Sequence, residues 1–141
     1  QAAVVAAQVG NVHYPQYPAF EDFGDMLVRG NGGTGYIRVD WFTPDGLPVW
    51  GDGRLFILGT EGTIELRKYV DVAGRPGSDH LFLTDRHGTR HIDCSAEPLR
   101  YFARFLADVQ DRTDTSMPKG HALTVTRLAI EAQTMADRQP A

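Results

Sequence analysis

Residues 34–69 constrain the fold of this chain most, because they contain three predicted strands joined by a stiff loop and a tight turn. In the first strand, Ile37, Val39 and Trp41 alternate with polar side chains, a pattern typical of a strand with one buried face. The second strand, residues 55–58, is apolar at every position and therefore needs cover on both faces. We expect helices to cover one face of the sheet and a partner to cover the other. The alternative is that the sheet curls over itself or that the helices cover more of it.

Turn-forming residues divide the first two thirds of the chain into a series of strands. The predicted strands are residues 2–9, 22–29, 34–42, 54–58, 63–69, 80–84 and 89–93. Asparagine and glycine at 31–33 accept positive φ angles at low cost, and residues 59–62 and 85–88 supply two further hairpin turns. Successive hairpins predict a largely antiparallel sheet.

The periodicity becomes helical after Ser95, which can cap a helix, and Pro98, which suits a first helical turn. The apolar residues of this first helix are Leu99, Phe102, Phe105, Leu106 and Val109. A second helix has a face of small residues, marked by Ala122, Val125, Ala129, Ala132 and Ala136. The prediction is therefore an α+β fold in which residues 1–141 form a single domain. It is an open, mostly antiparallel sheet with helices packed on one face and the other face used for subunit association.

The composition excludes two classes of partner. The formal net charge is −4 and no basic patch stands out, so neither nucleic acid nor a membrane surface is an expected partner. Cys94 is the single cysteine, which excludes an internal disulfide and fits a reducing, cytoplasmic location. The sequence has no apolar run of transmembrane length and no signal peptide. It opens QAAVVAAQVG without an initiator methionine, and we expect it to be part of a longer polypeptide.

Residues 30–35 match the G-x-G-x-x-G pattern of dinucleotide-binding sites. Such a site needs the glycines between a strand and a helix, whose N-terminus binds the pyrophosphate. Here the next segment is a predicted strand. We therefore interpret the motif as a glycine-rich hairpin and predict no cofactor-binding residue.

The histidines suggest a metal site as one hypothesis. If residues 85–88 close a symmetric hairpin, His80 faces Asp93 and Phe82 faces His91, so that His80, His91 and Asp93 share one face. Two histidines and a carboxylate are a ligand set that metals accept. The alternatives are a polar or interface-lining face, or a His80–Asp93 pair. No ligand-spacing motif accompanies these residues, and no nucleophile motif occurs, so we predict neither a metal ligand nor a catalytic residue.

The loop of residues 43–53 is the predicted substrate site. Its proline and glycine residues stiffen it and let the backbone approach a ligand closely. An indole face with carboxylate acceptors suits a sugar or polyol, whose C–H faces are apolar and whose hydroxyls donate hydrogen bonds. The predicted substrate-binding residues are Trp41, Thr43, Asp45, Trp50 and Asp52. The alternative is that Trp50 fills the core or an interface.

Residues 34–69, with the downstream run AGRPGSDHLFLTDRHGTRHIDC, resemble the C-terminal domain of the Gfo/Idh/MocA family of NAD(P)-dependent oxidoreductases. The best marker is Gly59-Thr60-Glu61-Gly62 followed by Thr63-Ile64-Glu65-Leu66. The resemblance implies an open antiparallel sheet that pairs with another subunit. It also implies an N-terminal Rossmann domain, which this sequence lacks, as the carrier of NAD(P) and of the catalytic E-K-P lysine. Neither E-K-P nor the family's D-x-x-x-H pair occurs here, so no catalytic role is transferred to any residue.

The resemblance predicts the C-terminal substrate-binding and oligomerisation domain of an NAD(P)-dependent sugar- or polyol-type oxidoreductase, inactive without its Rossmann domain. The expected partners are a second copy, in a homodimer or homotetramer, and a small sugar or polyol in the intact enzyme. NAD or NADP is expected in the intact enzyme, with none bound by this chain. The alternative is a stand-alone, non-enzymatic ligand-binding or assembly module of the same fold. A third, less favoured hypothesis is a metal protein that uses His80, His91 and Asp93.

Overall fold

A computed structural model describes residues 2–138, which form seven strands followed by two helices. The strands are β1 (Ala3–Gly10), β2 (Phe23–Gly30), β3 (Gly33–Asp40), β4 (Gly53–Leu58), β5 (Gly62–Lys68), β6 (Asp79–Asp85) and β7 (Gly88–Asp93). The helices are α1 (Arg100–Asp111) and α2 (Lys119–Ala136). All strand pairs are antiparallel, in a sheet of order β1-β2-β3 and a sheet of order β4-β5-β6-β7. The predicted α+β class with open antiparallel sheets is confirmed.

The chain divides into two compact units. The first unit comprises Gln1–Phe42 and Arg100–Ala141 and contains the three-stranded sheet and both helices. The second unit comprises Thr43–Leu99 and contains the four-stranded sheet. The sequence pattern did not indicate that the strands separate into two sheets. The interpretation of residues 1–141 as one domain stays a prediction.

The glycine-rich motif forms the turn between β2 and β3. Gly30 pairs with Gly33, which leaves Asn31 and Gly32 as a two-residue turn with φ angles of 51° and 80°. Two consecutive positive φ angles are the geometry of a tight hairpin turn that matches the twist of the strands. Antiparallel strands flank the motif on both sides, as the hairpin interpretation predicts.

The core of the first unit lies where α2 packs against β1. Its buried residues are Ala7 of β1 and Ala132 and Ala136 of α2. A bulge between Val4 and Ala6 brings Val4 and Ala7 onto the same face of the sheet, since their partners in β2 share a face. The small-residue face predicted for the second helix is therefore used at Ala132 and Ala136. Partly buried side chains complete this core: Val4, Val9, Met26 and Met135.

The face of this sheet that α2 does not cover carries a polar cluster next to apolar side chains. The carboxylate of Asp25 accepts hydrogen bonds from Gln8 Nε2 at 3.0 Å and from the Tyr36 hydroxyl at 3.2 Å. Arg38 lies 3.4 Å from the same carboxylate and donates to Asp40 at 2.8 Å. Hydrogen bonding by Arg38 lowers the pKa of Asp40.

The first helix begins later than predicted. Ser95 does not cap it, because α1 begins only at Arg100, and the Ser95 backbone N–H donates to Asp93 Oδ1 at 2.9 Å in a local turn. The prediction of a Ser95 cap is therefore wrong. The second helix begins at Lys119, whose N–H donates to the carboxylate of Asp114 at 2.9 Å. Within residues 2–138, neither helix is long and apolar enough to cross a bilayer.

Candidate functional site

Strand register gives the four-stranded sheet two unlike faces. Residues directly opposite one another across all four strands form two rows, Arg54–Arg67–His80–Asp93 and Phe56–Glu65–Phe82–His91. We refer to the face that carries these eight residues as the polar face. The predicted hairpin register, with His80 opposite Asp93 and Phe82 opposite His91, is confirmed.

The opposite face, referred to as the apolar face, carries Leu55, Ile57, Ile64, Leu66, Leu81, Leu83 and Ile92, with Arg90 at the end of the row that holds Ile57. Much of it is accessible, with Leu55 50%, Ile57 48% and Ile92 44% exposed. Within residues 43–99, all of which are described, the only buried side chains are those of Asp71 and His80. The second unit therefore buries no apolar side chain of its own.

Asp71 anchors the loop between β5 and β6. Asp71 is 3% exposed, and its carboxylate accepts a hydrogen bond from the backbone N–H of Ala73 at 3.0 Å. It also forms ion pairs with Arg67 at 2.5 Å and with Arg75 at 3.1 Å. The Ala73 N–H, Arg75 and Arg67 together lower the pKa of Asp71 to about 2. Glu65 accepts a further bond from Arg67 at 2.6 Å. Arg67 is thus fixed between two carboxylates.

The ring of Phe82 is covered by cationic groups. The guanidinium carbons of Arg67 and Arg75 lie 4.9 Å and 5.3 Å from its centroid, distances at which cation–π attraction is significant. The ring of His91 lies 5.0 Å from the same centroid. The polar face is therefore a packed network of guanidiniums, carboxylates and rings around Phe82.

His80 is buried, at 2% exposed, and both of its ring nitrogens have protein partners. Nδ1 lies 3.0 Å from His91 Nε2, and Nε2 lies 3.2 Å from the carbonyl oxygen of Gly77. A carbonyl only accepts, so Nε2 of His80 carries a hydrogen. Among residues 2–138, no group of three or more His, Cys, Asp or Glu side chains is arranged to hold a metal ion. His80 and His91 bond to each other, and the metal hypothesis gains no support.

The predicted substrate loop begins with a turn in which the N–H of Leu47 donates to the Pro44 carbonyl at 3.0 Å. Trp50 is 84% exposed. The carboxylate of Asp52 accepts hydrogen bonds from Arg54 Nε at 2.9 Å and Nη2 at 2.6 Å, and these bonds raise the pKa of Arg54. Thr43 and Asp45 are exposed. The loop thus presents an accessible indole and a carboxylate fixed by a neighbouring guanidinium.

Trp41 belongs to the first unit, whereas the other four predicted site residues belong to the second. Its backbone N–H donates to the Asp22 carbonyl at 2.9 Å, and its ring meets that of Phe20 edge-on at 5.8 Å. Trp41 is 54% exposed. Substrate binding stays a prediction for all five residues: Trp41, Thr43, Asp45, Trp50 and Asp52.

Sequence reasoning missed the residues that line the polar face beside this loop. Alternation along β4 places Arg54 and Phe56 on one face, and alternation along β5 does the same for Glu65 and Arg67. That signal was present in the sequence. Nothing in the sequence distinguished Asp71 from other loop carboxylates, because its burial depends on the path of a loop.

Comparisons with known proteins place this fold within longer chains. No protein-family model and no curated protein matches the chain. A crystal structure named "putative oxidoreductase" from Erwinia carotovora atroseptica SCRI1043 is 48% identical over 96% of the chain, with a TM-score of 0.91. A "putative oxidoreductase" from Thermotoga maritima is 23% identical over 98% of the chain, with a TM-score of 0.78, and shows the shared fold.

The chain spans 41% of the Erwinia protein and 39% of the Thermotoga protein. Two longer proteins, each named as an oxidoreductase, thus contain a region with this fold.

Proposed function

We propose that this chain is the C-terminal substrate-binding and oligomerisation domain of an NAD(P)-dependent, sugar- or polyol-type oxidoreductase of the Gfo/Idh/MocA family. The observation that carries the proposal is the 48% identity over 96% of the chain to a much longer protein named as an oxidoreductase. The Gly59–Gly62 marker hairpin supports the finer family assignment. A cytoplasmic location is part of the proposal, because Cys94 is the single cysteine.

We propose that this chain itself binds no nicotinamide dinucleotide. Its one glycine-rich motif is the turn between β2 and β3, where no helix N-terminus is available to bind a pyrophosphate. In the intact enzyme, NAD or NADP bound by a separate Rossmann domain would accept or supply the hydride. The part proposed for this chain is to bind and orient the substrate.

The loop of residues 43–53 supports a sugar or polyol as that substrate. The exposed indole of Trp50 offers a flat apolar surface to C–H groups. The carboxylate of Asp52, oriented by Arg54, offers acceptors to hydroxyl groups. We propose Thr43 and Asp45 in the same loop as further contacts, whereas Trp41 lies in the first unit and its role stays a prediction.

The apolar face supports association with a second copy. Leu55, Ile57 and Ile92 are between 44% and 50% exposed, and the second unit has no helix to cover them. Contiguous apolar surface of this kind usually marks an interface. A homodimer or homotetramer built on this face would bury it.

A chimera tests the enzymatic part of the proposal. This chain replaces the matched region of the Erwinia protein, and the chimera is assayed with NAD, NADP and a panel of sugars and polyols. We expect cofactor-dependent oxidation by the chimera and none by the chain alone. Calorimetry on the chain alone, with NAD(H) and NADP(H), should show no binding, and tight binding there would contradict the division of roles.

Two lysine substitutions at adjacent positions test the association. Ile57→Lys places a charge on the apolar face, and Leu58→Lys places one on the other face of the same strand. Sedimentation should show a dimer or tetramer for the unchanged chain and for Leu58→Lys, and a monomer for Ile57→Lys. A monomeric unchanged chain would contradict this part of the proposal.

A further inference from the structure

We propose that the sugar or polyol binds on the polar face, stacked on Phe56 and held by the two ion pairs Asp52–Arg54 and Glu65–Arg67. The inference rests on the proposed function and extends its site from the loop of residues 43–53 along β4 and onto β5. It assigns binding residues that the sequence analysis did not consider.

Phe56 provides an accessible aromatic surface. It is 57% exposed and lies on β4, at the edge of its sheet. Phe82, in the same row, has both arginines Arg67 and Arg75 over its ring. The row therefore contains one ring covered by cations and one ring with much of its surface open to solvent. An open ring of this kind matches the apolar C–H face of a sugar.

The polar groups beside Phe56 are paired and oriented. Arg54 lies two residues before Phe56 on the same face, and Glu65 is directly opposite Phe56. Arg54 and Arg67 are directly opposite each other, an arrangement of like charges that weakens a sheet unless each is compensated. Each is compensated at 2.6 Å, Arg54 by Asp52 and Arg67 by Glu65. Buried Asp71 fixes Arg67 further.

The balance of charge indicates the class of ligand. Two guanidiniums and two carboxylates give this cluster no net charge, so an anion would meet repulsion from carboxylates already in place. Guanidinium N–H groups donate and carboxylate oxygens accept. Each hydroxyl of a vicinal diol can both donate and accept a hydrogen bond. One hydroxyl can therefore accept from the guanidinium of an ion pair while its neighbour donates to the carboxylate of the same pair. The cluster therefore favours an uncharged polyhydroxylated ligand over phosphate, sulfate or a sugar acid.

The test is an NMR titration of the isotope-labelled chain with D-glucose and D-sorbitol, and with sulfate as the anionic comparison. We expect the amide signals of residues 54–56 and 65–67 to shift with either polyol and not with sulfate. Phe56→Leu should weaken polyol binding about threefold or more, because a branched chain replaces a flat ring. Glu65→Gln should also weaken it.

Arg90→Gln is the matched control. Arg90 pairs with Asp85 at 2.6 Å in the same sheet but on the opposite face, so its loss should leave polyol binding unchanged. Thermal unfolding of each variant, followed by circular dichroism, confirms that the fold is retained.

Three results would overturn the inference: shifts confined to residues 43–52, unchanged polyol affinity in folded Phe56→Leu, or equal shifts with sulfate. None of these affects the chimera, so the proposed function would stand. Conversely, an inactive chimera accompanied by polyol shifts on the polar face would overturn the proposed function and leave this binding site in place.

Discussion

The two units of this chain differ in the apolar side chains that they bury, although both bury carboxylates. The first closes α2 onto β1 through Ala7, Ala132 and Ala136. The second buries a carboxylate, Asp71, and an imidazole, His80, and no apolar residue. The first unit thus covers β1 with its own helix, while Ile37 and Val39 of β3, on the same sheet face, stay 45% and 68% exposed. The second is organised by a polar network and leaves an apolar face accessible.

Both units leave apolar side chains accessible. Strand sequences that are apolar on both faces predicted an uncovered surface, and exposed apolar side chains lie on β4 and β7 as well as on β3. Association through them stays a prediction. Stability in the second unit should therefore depend on hydrogen bonds, ion pairs and close backbone approach. Stability in the first should depend on how closely a helix approaches a sheet. The following substitutions test this contrast, from the largest expected effect to the smallest.

Gly62→Ala should have the largest effect, in the second unit. A Cβ at this position would overlap the backbone carbonyl oxygen of Thr84 in the neighbouring strand. Neither backbone can move without breaking the β5–β6 pairing, so we expect a loss of about 3 kcal/mol or more in the free energy of unfolding. Urea denaturation measures it. Gly46→Ala, which meets no atom within 4 Å, is the control and should change little.

Ala132→Leu tests the helix–sheet contact of the first unit. The larger side chain has to fit between α2 and β1, next to buried Ala7, and should cost about 2 kcal/mol of stability. Ala122→Leu, at an exposed position of the same helix, should be neutral. Equal stability of the two variants in urea denaturation would mean that α2 does not pack closely on the sheet.

His80→Phe tests the buried polar residue of the second unit. Phenylalanine keeps a ring but removes the partners of His91 Nε2 and of the Gly77 carbonyl, and should cost about 1.5 kcal/mol. Faster amide hydrogen exchange in the β5–β6 loop should accompany the loss. His87→Phe, in the exposed β6–β7 turn, serves as the control. A neutral His80→Phe would show that the histidine pair does not support the fold.

Asp71→Asn should change how stability depends on pH. The folded chain holds the pKa of Asp71 at about 2, below the value of about 4 for an unfolded aspartate. The ionised group therefore contributes stability above about pH 4 that is lost as the pH falls through about 2. The difference in urea midpoint between the unchanged chain and Asp71→Asn should be full at pH 7 and shrink between about pH 4 and 2.

Asp108→Asn is the counterpart in the first unit. The carboxylate of Asp108 accepts hydrogen bonds from Ser116 Oγ at 2.6 Å, Thr113 Oγ1 at 2.5 Å and Thr115 Oγ1 at 2.8 Å. These bonds also lower its pKa, so its variant should show the same sign of pH dependence. A difference that grows on acidification would contradict both assignments.

Arg90→Gln should have the smallest effect. The Arg90 side chain is 56% exposed, and exposed ion pairs contribute little, so we expect a loss of about 0.5 kcal/mol or less. Arg67→Gln breaks a pair with buried Asp71 and should cost clearly more. The loss of stability in each variant is measured at low and at high salt. Salt screens exposed charges, so the loss in Arg90→Gln should disappear at high salt and the loss in Arg67→Gln should remain.

The strands were predictable because turn chemistry marks them. The Asn31–Gly32 turn and the Asp85–Gly88 turn determine hairpin register, so the positions of His80 and His91 followed from the sequence. The helix start at Arg100 was not predictable, because the Asp93 side chain binds the Ser95 N–H. The polar face required knowing the register across four strands at once, which pairwise hairpin reasoning does not supply.

The exposed position of β4 has a consequence for the chain during synthesis and storage. Residues 55–58 form a β-prone, uncharged run without proline on an edge strand. Segments of this kind template intermolecular cross-β stacking when many copies are concentrated. Arg54 and the glycines at 53 and 59 flank the run, and a flanking charge and flanking glycines oppose such stacking. Amyloid formation by this chain should therefore begin at β4, and a charge introduced there should improve solubility.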